Sequence, residues 1–114
     1  MSEIPEYLKE ASRLFLTEVQ GHIAYFKARM NEDGSINSTL FQESLVLWRE
    51  KFHLMKGGAG FLNLTRIRNA AVTGEELCKS IIGGEKDVNR SLPEITKAVS
   101  EIREGCAELE SILG

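Results

Sequence analysis

Residues 92–113 read LPEITKAVSEIREGCAELESIL. The apolar positions Leu92, Ile95, Val99, Ile102, Cys106, Leu109 and Leu113 fall three or four apart, the interval that lines them along one face of an α-helix. Strict spacing of this kind suits near-antiparallel packing against other helices at shallow crossing angles. Ser91 with Glu94 is expected to cap the start as a capping box, with Pro93 tolerated in the first turn.

Upstream, GGEKDVNR at residues 83–90 breaks the pattern. A helix is expected over residues 66–82, turning Ile67, Ala70, Ala71, Leu77, Cys78 and Ile81 inward. Residues 63–65 form a tight connection to a preceding helix whose stripe is Phe41, Leu45, Trp48, Phe52, Met55, Ala59 and Leu62. Thr39 with Gln42 resembles a capping box at its start. The turn cluster NEDGSINS, residues 31–38, separates it from a long first helix over residues 5–30. There Ile4, Leu8, Ala11, Phe15, Val19, Ile23, Phe26 and Met30 share one face. No useful length alternates as a strand would. The expected fold is all-α, an antiparallel up-down-up-down four-helix bundle, with residues 1–114 as a single domain.

The chain has 114 residues and a net charge of −3, which suits one core and excludes disordered and membrane-spanning classes. The acidic, polar N-terminus is unlike a targeting peptide, so a cytoplasmic location is expected. Cys78 and Cys106 read as small core residues in a reducing compartment. A mildly acidic chain without a basic, aromatic-interleaved stripe points away from nucleic acid.

One helix contains an anomaly. KFHLMKGGAGFLN, residues 51–63, holds three glycines within four residues. Each should weaken a helix interior by about 1 kcal/mol relative to Ala, in a domain whose total stability is about 5–15 kcal/mol. His53 lies at the border of the buried stripe, turned towards solvent. Gly57 and Gly60 follow at i+4 and i+7 on its own line, and Lys56 flanks them at i+3. The expected result is an imidazole over bare backbone with one ammonium beside it.

A neutral imidazole is a good nucleophile near pH 7, since its unperturbed pKa is about 6.5. A phosphoryl donor is bulky and anionic, so in-line attack needs room and a nearby cation. His22 follows Gly21 but has no lysine or glycine cluster after it, and reads as an ordinary helix residue. KGGAG is not a P-loop, in which lysine follows the glycines and a strand precedes them. The two histidines, on different helices, form no obvious metal site.

With His53, Lys56 and Gly57 in the order H-x-x-K-G, the sequence resembles the histidine phosphotransfer (HPt) family. HLMKGGAG looks especially like the N-terminal phosphotransfer domain of chemotaxis histidine kinases. The resemblance implies that His53 accepts a phosphoryl group through Nε2, that Lys56 neutralises phosphoryl charge, and that Gly57 and Gly60 leave room for a partner. In the chemotaxis subtype a glutamate on the next helix orients the histidine ring. Its position here is Glu75, with Glu76 as the adjacent alternative. The family commonly has glycine where this chain has Asn63, the next-best residue for a left-handed turn. Gly74 is unexpected within a helix and faces the interior, where it could permit close packing. Gly58 points away from the histidine, and only the resemblance accounts for it.

The implied partners are response-regulator receiver domains, a histidine kinase, or both, with no nucleic acid, no membrane and a monomeric state. No cofactor of its own is implied, and Mg²⁺ is expected from the partner. The alternatives are the isolated substrate domain of a chemotaxis-type kinase, and an adaptor bundle that binds receivers without carrying phosphate. No nucleophile–base pair or cofactor loop points to a stand-alone enzyme.

Overall fold

The structure, a computed structural model, describes residues 4–114. It is all-helical, with five helices around one apolar core: α1 (Glu6–Lys27), α2 (Ser38–Glu43), α3 (Leu45–Phe61), α4 (Thr65–Ile82) and α5 (Val88–Leu113). Helix α3 packs along α4, α4 along α5, and α1 against both α5 and α3. The expected inward faces are the buried ones. Phe15, Val19, Ile23 and Phe26 of α1 meet Trp48, Phe52, Met55 and Ala59 of α3 in the same core as Ile95, Val99, Ile102 and Leu109 of α5. Phe26 stacks on Trp48 with ring centroids 4.2 Å apart, and Phe52 lies 5.0 Å from Phe26.

Four boundaries differ from expectation. The expected second helix is two helices, because Ser44 (φ −122°, ψ 18°) leaves helical geometry. Its hydroxyl donates to the Leu40 carbonyl at 2.7 Å and accepts from Trp48 Nε1 at 3.1 Å, so local side-chain bonds stabilise the break. The cap at the start of α2 is Asn37, which accepts from the Leu40 amide, rather than Thr39. Gln42 instead donates to the carbonyl and hydroxyl of Ser38, and the expected capping box is absent.

At the far end, Asp87 caps α5 by accepting from the Arg90 amide. The expected Ser91 cap is therefore inside the helix, buried, with its hydroxyl donating to the Asp87 carbonyl at 2.9 Å. Pro93 falls in the second turn, not the first. Helix α1 ends at Lys27 instead of Met30, which forms an isolated antiparallel bridge with Ile36 across the turn.

Asn63 takes φ +60°, the left-handed turn that lets residues 62–64 join α3 to α4. Cys78 and Cys106 are free and buried. Burial pushes their thiols up to about 12 and about 11, so both stay protonated at neutral pH. Among the described residues, no helix is long and apolar enough to cross a membrane.

Gly58 acquires a role that one helix's periodicity could not disclose. A Cβ built there would lie 2.5 Å from Cε1 of Phe15, so its absence seats α1 against α3. Gly57, one residue earlier, has nothing within 4 Å. Gly57→Ala should therefore stabilise the fold by about 1 kcal/mol through helix propensity. At Gly58 the same substitution should give a net loss of about 1 kcal/mol, because overpacking outweighs that gain. Urea denaturation of both variants checks the opposite signs, and equal stabilisation would contradict the packing role.

Candidate functional site

The site is built across the contact between α3 and α4. A Cβ on Gly74 would fall 2.6 Å from the ring of Phe52, which is fully buried. Glycine thus lets the α4 backbone rest on that ring. The next residue along each helix, His53 on α3 and Glu75 on α4, then meet. Nδ1 of His53 lies 2.7 Å from Oε2 of Glu75, and Nζ of Lys56 donates to Oε1 of the same carboxylate at 2.6 Å. Lys79, one turn along α4, places Nζ 3.8 Å from Oε2.

Exposure is divided sharply across this cluster. The Glu75 side chain is 3% exposed, whereas that of His53 is 61% exposed. Burial alone would raise the Glu75 carboxyl pKa. Hydrogen bonds from Lys56 and His53, with the charges of Lys56 and Lys79, more than offset it and hold the group below the usual carboxylate range. The carboxylate is therefore ionised at neutral pH and can only accept. A neutral His53 ring must then carry its proton on Nδ1, which leaves the Nε2 lone pair on the solvent side.

The structure thus brings His53, Lys56 and Glu75 together, while Glu76 is exposed and makes no such contact. Lys56 is placed differently from the sequence expectation: it is paired with Glu75. Gly57 is open, but Gly60 is only partly so, since the Arg68 side chain passes 3.7 Å from its Cβ position. The residue that sequence reasoning missed is Lys79. Its signal was the Glu75-to-Lys79 spacing of i,i+4, which makes side chains neighbours on a helix. His22 is half-buried; burial first, then Lys51, lower its pKa, outweighing the opposing charge of Glu18.

Around the imidazole the surface is open and partly apolar. Leu47, Leu54 and Phe61 recur at intervals of seven on α3, and all are exposed, as is Leu14 on α1. Phe15 packs at Gly58, so its chain neighbour Leu14 emerges near the same turns of α3. A groove of about 470 Å³ lined by Ile4, Tyr7, Leu62, Arg66 and Ile112 includes none of the His53 cluster. Among the described residues, no group of three or more His, Cys, Asp or Glu is placed to hold a metal ion.

The depressed Glu75 pKa has a definite consequence for stability. A carboxylate whose folded pKa lies below its unfolded value of about 4.3 stabilises the fold above that pH, and the contribution fades as pH falls through the folded value. Glu75→Gln should cost about 1.5–3 kcal/mol at neutral pH, the scale of hydrogen bonds to charged groups. The gap from wild type should narrow steadily below about pH 4.3. Chemical denaturation of both proteins across pH 2–7 measures it, and a gap independent of pH would contradict an ionised, stabilising Glu75.

Compared with models of protein families, with curated proteins and with solved structures, the chain gives no match.

Proposed function

We propose that this chain is a histidine phosphotransfer module, in which His53 takes a phosphoryl group from a receiver aspartyl phosphate and passes it to another receiver aspartate. The observation that carries this reading is the bond from His53 Nδ1 to the buried Glu75 carboxylate, which aims the free nitrogen outward. In the forward step the Nε2 lone pair attacks phosphorus in line with the departing oxygen. The Nε2–P bond forms, the P–O bond breaks, and its electron pair leaves on the donor's aspartate carboxylate. The Nδ1 proton stays in place. The phosphorylated ring therefore gains positive charge, and Glu75 lies 2.7 Å from the nitrogen that shares it.

Open backbone at Gly57 gives the donor room to approach, and Lys56 supplies positive charge beside the entering phosphoryl group. A Mg²⁺ ion held by the partner's carboxylates would neutralise phosphoryl charge from the other side. The exposed apolar residues Leu14, Leu47, Leu54 and Phe61 suit the centre of a receiver-docking surface, since such patches mark interaction sites. In this reading α1, α3, α4 and α5 form the antiparallel four-helix bundle, with α2 as an added turn before α3. The chain acts as a cytoplasmic monomer.

The His53–Glu75 bond also favours a second donor. It is the feature that the resemblance to chemotaxis kinases implies, and in that setting the phosphoryl group comes from ATP bound to a kinase domain. An adaptor that carries no phosphate could use the buried Glu75 contact for stability, but it would have no use for the open ground at Gly57 beside His53.

Incubation with phosphorylated receivers, or with a kinase domain and ATP, should place acid-labile label on this chain. Label should be absent from His53→Gln. Equal labelling of that variant, or none on wild type with any donor, would remove the proposal. Gly57→Leu should leave the helices folded while lowering transfer on the order of 10²-fold, as a small misplacement of reactants does; unchanged transfer would mean that open ground at Gly57 is not required.

A further inference from the structure

Two lysine cations and an imidazole face one carboxylate that has almost no access to solvent. His53 and Lys56 reach Glu75 from α3, and Lys79 reaches it from its own helix. The contacts are graded. Lys56 makes a hydrogen-bonded pair at 2.6 Å, whereas Lys79 stands 3.8 Å away with its side chain 55% exposed. Lys79 approaches Oε2, the oxygen bonded to His53, while Lys56 occupies Oε1.

This grading matters because Lys56 has two uses that conflict. Turning its ammonium towards a phosphoryl group on His53 would loosen its hold on Glu75. A carboxylate that is 3% exposed cannot compensate such a loss with bulk water. If Glu75 lost its cation, it would draw a proton or turn away, and the orienting bond to His53 would weaken just as the ring becomes phosphorylated.

We propose that Lys79 is a reserve counter-ion: it closes on Glu75 when Lys56 turns to the phosphoryl group, so the bond to His53 Nδ1 survives phosphorylation. Lys79 is then a positioning residue that never touches phosphate. The proposal rests on the phosphoryl-acceptor reading of His53, but the exchange between lysines is measurable without any donor. Lys56→Met imitates the departure of Lys56. The neighbouring Cys78 thiol stays neutral and does not compete.

The test follows the Glu75 side-chain carboxyl ¹³C resonance against pH in wild type, Lys79→Met, Lys56→Met, the double variant, and Lys56→Met with Lys79→Arg. Lys79→Met should raise the Glu75 midpoint slightly in wild type and far more in the Lys56→Met background. The coupling should be about fivefold or more in the proton-binding constant. Arginine at position 79 should restore the low midpoint, which a merely structural contact would not require. Unfolding of the double variant while both single variants fold is the same synergy and supports the exchange. Additive shifts, no response to Lys79→Met, or unfolding of Lys56→Met alone would each overturn it. If the exchange is seen but no donor labels His53, the phosphotransfer reading fails and the lysine coupling stands.

Discussion

The structure depends on an ionised carboxylate held between two helices with little water to solvate it. Glu75 is acceptable there because Lys56 and His53 reach it from α3 and Lys79 from α4. Removing one member of such a set leaves an uncompensated buried charge, so the partners are tied to each other more strongly than surface pairs are. That constraint settles the rest of the site. The imidazole cannot rotate freely, the proton on a neutral ring is confined to Nδ1, and Nε2 is left on the open side.

Glycines make this arrangement sterically possible, each in a different way. Gly74 admits the ring of Phe52 and brings α4 close enough for Glu75 to reach α3. Gly58 admits Phe15 and seats α1 on the neighbouring face. Gly57 meets nothing and leaves the ground beside His53 clear. Helix propensity is lost at all three, yet two of the losses are offset by closer packing. Only at Gly57 is the loss without a structural return, which is why that position bears most directly on function.

Much of this was legible in the sequence, for reasons that also mark the limits. The 3–4 spacing identified the buried faces, because the angle around the axis decides which side of a helix meets the core. Stripe positions near helix ends, such as Leu45, Leu92 and Leu113, are only partly buried. It missed the break at Ser44, since the stripe from Phe41 to Leu62 continues through it and the break arises from bonds to Leu40 and Trp48. The expected cap Ser91 lies inside α5, because Asp87, four residues earlier, accepts the Arg90 amide instead. His53, Lys56 and Gly57 could be grouped because they share one helix. The contacts of Gly58 with Phe15 and Gly74 with Phe52 lie between helices, beyond what one helix's period can show. Glu75 was reached through resemblance, and Lys79 was overlooked although its spacing from Glu75 was plain.

The central claim is that a buried Glu75 fixes the His53 ring with Nδ1 protonated and Nε2 free. Ring ¹⁵N chemical shifts of His53, recorded where the ring is neutral, test it most directly. The account predicts the Nδ1–H tautomer in wild type and reversion towards the Nε2–H form common in free imidazoles in Glu75→Ala. A wild-type ring protonated on Nε2, or a tautomer unmoved by Glu75→Ala, would contradict it.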